Sequence, residues 1–229
     1  MASLLHPRRP DDRTSGAVVV VGLGRFGSAL ALELMAGGTE VLGIDGDPDI
    51  VQSLNGQLSQ VVRADSTKEE ALRQLGVPDF EYAVVGIGTN VEASILTASL
   101  LVSFGIEQVW AKALSEAHGR ILTQLGVAHV VYPEADMGRR VAHLVRGAVL
   151  DYIQFEDDFA MVKTSPPAEV VGRRLGDTGI RNRHDITVVA VHRHGEGFTY
   201  ATADTVVEAD DMIIVAGRTK VAERFSHLS

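Results

Sequence analysis

Ala17-Val18-Val19-Val20-Val21-Gly22-Leu23-Gly24-Arg25-Phe26-Gly27 is the stretch that decides the fold of this chain. The apolar run reads as a strand buried on both faces, and it passes straight into Gly-x-Gly-x-x-Gly. Residues 28–36 then read as a helix. Each glycine has a separate physical task. Gly22 allows the tight turn, Gly24 lets backbone N–H groups approach a pyrophosphate, and Gly27 lets helix pack closely on strand. The helix N-terminus adds partial positive charge for the phosphates. Arg25 is the unusual member, a cation placed inside the phosphate loop itself.

A glycine loop alone is weak evidence, and the following residues strengthen it. Glu40-Val41-Leu42-Gly43-Ile44 reads as the next strand and ends in Asp45, about 18 residues past Gly27. This fold puts a ribose-binding carboxylate at that place. A second reading of Asp45 is a carboxylate that caps its own loop. Gly46 follows, so no arginine adjacent in sequence is there to hold a 2′-phosphate, which disfavours NADP. Asp47-Pro48 fits a helix cap followed by proline at the first helical position.

Composition narrows the class. The chain has 229 residues, a formal charge of −9, 45% hydrophobic residues, 5% aromatic residues and no cysteine. That length holds one large domain or two small ones, with aliphatic cores of the α/β kind. The acidic balance argues against a nucleic-acid partner, which requires clustered Lys and Arg. The absence of cysteine removes disulfides, thiolate metal sites and cysteine nucleophiles. Residues 1–15 carry prolines and charges with no apolar stretch, so they read as a flexible tail and not a secretory signal. No run approaches the ~20 apolar residues that span a bilayer. Any membrane role is therefore expected to be exercised through a partner, with the chain in the cytoplasm.

Strand and helix patterns keep alternating. Strands are expected at 60–63, 82–87, 108–112 and 128–132, with helices at 68–75, 91–104 and 116–125. The implied fold class is α/β, a Rossmann-like doubly wound parallel sheet with ligand at the carboxyl ends of its strands. Gly22–Gly27, Asp45, Asp65-Ser66, Gly88-Thr89-Asn90 and Lys112 each follow an expected strand, so they converge on one sheet edge. Residues 137–150 place Val141, Leu144, Val145, Ala148 and Val149 on one helical face. Beyond 151 the pattern is strand-rich, with strands expected at 151–156, 159–164, 186–193, 197–201 and 211–216 and a helix-like piece at 172–175. The expected organisation is a tail over 1–15, a nucleotide-binding domain over 16–135, a crossover helix over 136–150 and a smaller α+β lobe over 151–229.

Two function classes compete at first. A nicotinamide oxidoreductase lacks visible chemistry here: none of Tyr82, Tyr132, Tyr152 or Tyr200 has a lysine four residues later, and His192-x-His194 has no third metal ligand. A free-standing NAD-sensing repressor would need a basic helix-turn-helix, which is absent. Arg25 and Glu134 point elsewhere. A cation in the loop suits terminal phosphates beyond a pyrophosphate, and Glu134, just past the last strand, suits a metal that bridges phosphates. The plainer readings are a solvated loop charge for Arg25 and a dipole-favoured acid at a helix start for Glu134.

Gly22-Leu23-Gly24-Arg25-Phe26-Gly27, Gly86-Ile87-Gly88-Thr89-Asn90 and Tyr132-Pro133-Glu134-Ala135-Asp136-Met137-Gly138 together resemble the Trk/Ktr potassium-uptake regulatory subunits. Those proteins pair an RCK (KTN) N-lobe with a TrkA-C-like lobe, and the resemblance runs from Ala17 to Phe225. It implies a regulatory, non-catalytic protein that assembles as homodimers into an octameric ring on a membrane-embedded potassium-translocating subunit. It implies ATP, ADP or NAD(H) as regulatory ligand. By the same resemblance Gly22, Gly24, Arg25, Phe26 and Gly27 form the phosphate loop, with Arg25 on terminal phosphates. Asp45 holds the ribose, Asp65, Ser66, Gly88, Thr89 and Asn90 surround base and sugar, and Lys112 lies near the phosphates. Glu134 binds Mg2+, Ca2+ or Na+ between protomers. Some relatives bind cyclic di-AMP in the C-lobe, where the matching residues are Arg181 and Ile186. The surrounding Arg181-Asn182-Arg183-His184-Asp185-Ile186 departs from the family pattern.

Overall fold

The computed structural model describes residues 14–145, 150–155 and 158–228. Most of the expected tail (1–13) and the last turn of the expected helix (146–149) lie outside them. The chain divides into two compact units, one ending at Pro133 and the other beginning at Glu134.

The first unit runs β1 (Thr14–Val21), α1 (Arg25–Ala36), β2 (Val41–Asp45), α2 (Pro48–Leu54), β3 (Gln60–Arg63), α3 (Glu69–Gln74), β4 (Phe80–Val85), α4 (Val91–Ser103), β5 (Gln108–Lys112), α5 (Glu116–Gln124) and β6 (His129–Val131). Its six strands lie in the order β3-β2-β1-β4-β5-β6. Every pairing is parallel. The order reverses between β2 and β4 around β1, and such a reversal opens a crevice at the carboxyl edge. Right-handed crossovers put helices on opposite faces on either side of the reversal. Ala31 of α1 and Leu54 of α2 accordingly share a core with Val18, Val20 and Val41. Leu72 of α3, Ala98 and Leu101 of α4 and Leu122 of α5 pack on the other face with Val19, Val21 and Val85. The valines of β1 are covered on both sides, which is why their sequence shows no alternation. Strand β1 begins at Thr14, with Thr14 opposite Phe80 and a register irregularity before Val18, so the ordered sheet starts slightly earlier than the expected tail boundary.

Helix starts obey local chemistry. The Asp47 carboxylate accepts the Asp49 N–H at 2.8 Å with Pro48 at the first turn, as the sequence predicts. Asn90 caps α4 through the Ala93 N–H at 3.0 Å, and Ser115 caps α5 through the His118 N–H at 3.2 Å.

The second unit opens with α6 (Pro133–Val145) and continues as β7 (Asp151–Phe155), β8 (Phe159–Thr164), α7 (Leu175–Thr178), α8 (Ile180–His184), β9 (Ile186–Arg193), β10 (Gly197–Tyr200), β11 (Met212–Arg218) and α9 (Thr219–Ser226). Its strands form an antiparallel sheet in the order β10-β9-β11-β8-β7. Tyr152, Val162, Ile186, Ile213 and Phe225 are buried in its core, and Leu144 of α6 packs against them. Proline at the first helical position lets α6 start four residues before the expected 137. The helix-like reading of 172–175 gives way to a turn at Gly172, φ +73°, flanked by isolated bridges at Val171 and Arg174. Gly172 donates to the Val207 carbonyl at 2.8 Å and Leu175 to the Thr205 carbonyl at 2.9 Å, and the helix begins only at Leu175.

Candidate nucleotide-binding site

The floor of the crevice is built by close backbone approach. Gly22 has φ +87°, and a Cβ there would lie 2.7 Å from the Ile87 nitrogen. A Cβ on Gly27 would lie 1.9 Å from the Gly22 carbonyl oxygen. Only glycine fits at either place. Gly86 donates to the Val21 carbonyl at 2.7 Å and Gly22 to the Ile44 carbonyl at 2.8 Å, so the ends of β1, β2 and β4 are tied together. Gly24 differs from its neighbours in the motif: a Cβ there would meet nothing within 4 Å. It stands at the N-terminus of α1 with open space in front of it, which is the cradle a phosphate requires.

Arg25, the first residue of α1, is exposed and its side chain makes no hydrogen bond or ion pair among the described residues. Phe26 packs partly into the core under α1. Its ring lies 5.9 Å from the Lys112 Nζ. Lys112 ends β5 as a buried amine, 7% exposed. A Cβ on Gly88 would come within 3.0 Å of that Nζ, so the bare Gly88 makes room for it. The loop after β1, the Gly86–Gly88 turn and Lys112 are therefore one cluster, as the sequence predicts.

Asp45 has both oxygens engaged. Its Oδ2 accepts the Leu23 N–H at 2.6 Å and its Oδ1 accepts the Asp47 N–H at 2.9 Å. The loop-capping reading is thus a fact of the structure, and it gives Asp45 hold over the phosphate loop. Each oxygen keeps a lone pair for a ribose hydroxyl.

Three of the other expected site residues have side-chain partners of their own. Asp65 accepts the Thr67 hydroxyl at 2.7 Å and the Thr67 N–H at 3.0 Å. These bonds hold its carboxyl below the usual range. Ser66 is buried and shares a 2.8 Å hydrogen bond with Thr97 of α4, so its hydroxyl serves the sheet–helix interface. Asn90 spends its side chain on the α4 cap. Thr89 is exposed.

One residue that sequence reading missed stands at this edge. Arg63 ends β3 in register with Asp45, and its Nε donates to the Gly46 carbonyl at 3.1 Å. The sequence around Gly46 shows no neighbouring arginine, yet strand pairing supplies one from 17 residues away. Only the register could have signalled it.

In the second unit, Glu134 and Asp136 occupy the acidic first turn of α6. No cluster of three or more potential metal ligands exists among the described residues, so a metal at Glu134 would need further donors. Arg181, on α8, is exposed. Ile186 does not join it at the surface. It sits at an inward position of β9, 2% exposed, packed in the core. Glu169 accepts from Arg183 at 2.6 Å and pairs with His184 at 2.8 Å. Partial burial alone would raise the Glu169 carboxyl, and these two partners outweigh it to hold the group low.

Fold and site define a class: a Rossmann-type nucleotide-binding unit joined to a small antiparallel lobe. The TrkA-N domain family matches residues 18–133 and the TrkA-C domain family matches 159–228. The chain belongs to the TrkA-N/TrkA-C family of Trk/Ktr-type potassium uptake proteins. It is 36% identical over 207 residues to Ktr system potassium uptake protein C of Bacillus subtilis, covering 90% of this chain and 94% of that one. It is 33% identical over 211 residues to Ktr system potassium uptake protein A of Vibrio alginolyticus, covering 91% and 96%. Among solved structures the GsuK channel bound to NAD superposes with a TM-score of 0.64 at 19% identity, covering 97% of this chain and 41% of that one, which speaks to the fold. No helix among the described residues is long and apolar enough to cross a membrane.

Proposed function

We propose that this chain is the nucleotide-sensing regulatory subunit of a potassium uptake system, acting from the cytoplasmic face on a membrane-embedded potassium-translocating subunit. The observation that carries this reading is Arg25, a side chain with no partner among the described residues, beside the open Gly24 cradle. It occurs in a chain 31–36% identical to Ktr potassium uptake proteins over nearly its whole length. The ligand is ATP, ADP or NAD(H). Its phosphates lie over Gly24 at the N-terminus of α1, its ribose meets Asp45, and Lys112 supplies positive charge from beneath.

The output is mechanical. A ligand shifts a conformational equilibrium only by its differential affinity for the two states. Arg25 gives that differential, because a γ-phosphate reaches it and a diphosphate does not. Moving a population from mostly one state to mostly the other takes about 5.5 kcal/mol. Several sites, each with a charge-assisted contact worth ~1.5–3 kcal/mol, reach that sum in a homodimer-based octameric ring. Glu134 contributes a carboxylate to Mg2+, Ca2+ or Na+ at the junction of protomers. Cyclic di-AMP is a weaker candidate at Arg181, since Ile186 is withdrawn into the core.

The test has two parts. Thermal melts of the full chain with ATP, ADP, NAD(H) and cyclic di-AMP should show stabilisation by at least one nucleotide, about 2.7 kcal/mol at a hundredfold excess over Kd. Potassium uptake by cells carrying a Ktr-type membrane subunit should then depend on this chain and respond to Arg25→Ala. Failure of every nucleotide to shift the melt would refute the sensor reading.

A further inference from the structure

We propose that Arg63 is the base-recognition residue of the nucleotide site, stacking its guanidinium on the purine ring of the ligand. This rests on the nucleotide-site reading above and adds a specificity determinant to it.

The order of the strands places the ligand's groups in turn. In this fold the phosphates lie at the turn after β1 and the ribose lies at the carboxylate ending the next strand. Here those positions are Gly24 and Asp45. Neighbouring strands run β1, β2, β3, so the ligand's next group outward, its base, comes to the end of β3. Arg63 is the last residue of β3, directly in register with Asp45. Its Nε is anchored on the Gly46 carbonyl at 3.1 Å, which fixes one edge of the guanidinium across the gap between the ends of β2 and β3. Ala64 N–H donates to the Asp45 carbonyl at 3.0 Å, so the two strand ends cannot drift apart. The two terminal Nη groups make no hydrogen bond or ion pair among the described residues, and the side chain is exposed.

An arginine beside a ribose has two familiar uses, a 2′-phosphate clamp or a stacking plane. The neighbouring carboxylate decides between them. A 2′-phosphate would stand against Asp45, and like charges ~4 Å apart repel by about 1 to 4 kcal/mol from water to a partly shielded site. A neutral purine suffers no such penalty. Arginine's planar, weakly hydrated guanidinium stacks on aromatic faces, and lysine does not reproduce this. One guanidinium edge pinned on a carbonyl with the other open to solvent is the arrangement a stacking plane requires.

The experiment measures ATP, UTP, NAD+ and NADP+ affinities by calorimetry on the full chain, for the wild type, Arg63→Ala and Arg63→Lys. ATP should weaken about 5- to 20-fold in Arg63→Ala, the range of a partly exposed cation–π contact. UTP, with its smaller ring, should weaken less than about threefold. Arg63→Lys should behave like Arg63→Ala, because charge without a plane does not stack. Full retention of ATP affinity in Arg63→Lys would overturn the stacking role. So would equal losses for ATP and UTP, or a wild-type preference for NADP+ over NAD+ that disappears in Arg63→Ala. If the wild type binds no nucleotide at all, the site reading itself falls and this proposal falls with it. Normal ATP binding by Arg63→Ala would remove Arg63 alone.

Discussion

Gly24 and Gly27 stand three residues apart, and the structure predicts opposite consequences for the same added methyl. At Gly27 the new Cβ would lie 1.9 Å from the Gly22 carbonyl oxygen and 3.0 Å from its carbon. Ordinary contact begins near ~3.5 Å, so α1 and the turn must separate by about 1.5 Å. That turn is pinned from two sides, by Gly22 on the Ile44 carbonyl and by Leu23 on Asp45. Overpacking of this kind costs about 1–3 kcal/mol, or a melting temperature lower by roughly 5–10 °C for a unit of this size. At Gly24 the methyl meets nothing within 4 Å, and φ is −62°, a value alanine adopts without strain. Alanine is a poorer helix cap than glycine by about 0.5 kcal/mol, while the stiffer unfolded chain returns ~0.4–1 kcal/mol. These nearly cancel, so Gly24→Ala should melt within about 2 °C of wild type. Its methyl would nevertheless occupy the space through which phosphates approach, and ADP and ATP affinity should fall at least tenfold, about 1.4 kcal/mol. Melting curves without ligand and calorimetric titrations with ADP and ATP measure both quantities. Wild-type nucleotide affinity in a stable Gly24→Ala would refute the placement of phosphates over this residue. An unchanged melting temperature in Gly27→Ala would refute the close packing of helix on turn.

Arg25→Ala should lower ATP affinity by about 10- to 100-fold and ADP or NAD+ affinity by less than about threefold, measured by calorimetry, because a hydrogen bond to a charged group is worth ~1.5–3 kcal/mol. Equal losses for all three would contradict a γ-phosphate contact. Glu134→Gln should abolish the tightening of ATP binding by magnesium or calcium and leave metal-free binding intact; persistent metal enhancement would make Glu134 structural. The Arg193 guanidinium donates to Asp211 from Nε at 3.0 Å and from Nη2 at 2.8 Å, and this depresses the buried Asp211 carboxyl. Its stabilisation is complete above the unfolded carboxylate pKa, about 4, and is lost as pH falls through the lower folded value. Asp211→Asn should therefore cost about 2 kcal/mol in denaturant unfolding at pH 7, and the cost should shrink progressively as pH falls below about 4. Burial lowers the His118 pKa, so His118 contributes stability above about pH 6.5 that fades as pH falls below it. His118→Asn, whose oxygen can take over the Leu114 N–H, should flatten the decline in melting temperature between pH 7 and pH 5.5.

The parallel sheet was legible because its physics is written in contiguous residues. Strands covered on both faces need unbroken apolar runs, as at Val18–Val21, and glycines pressed against backbone tolerate no substitute. The second unit was harder to read. Helices α7 and α8 are four and five residues long, shorter than the period needed to show an apolar stripe, and α9 follows β11 without a turn signal. That polar residues follow the strands is legible in sequence; the partners of their side chains are not. Ser66 looks like a loop hydroxyl in sequence, but pairing with buried Thr97 is a tertiary fact. Arg63 needed the β2–β3 register, and Ile186 needed the face of β9.

These orientations bear on how the site can act as a sensor. Its floor is over-determined: β1, β2 and β4 are joined at Gly22, Leu23 and Gly86, and Asp45 closes the loop on both of its oxygens. On the proposed reading, such a floor meets the common part of every adenine nucleotide in the same way. Equal contact with all ligands gives affinity without switching, since a ligand bound equally by two states shifts neither. Discrimination must come from groups whose contacts change with the ligand. Arg25 and Arg63 are both exposed charges, one the first residue of α1 and one the last of β3, in register with Asp45. On the proposed reading, Arg63 meets a feature that ATP and ADP share and so selects the class of ligand, whereas Arg25 meets the position where they differ. Removing Arg63 should therefore weaken ATP and ADP by the same factor and leave their ratio unchanged, whereas removing Arg25 should collapse the ratio toward one. A changed ATP-to-ADP ratio in Arg63→Ala would contradict this division of labour between the two arginines.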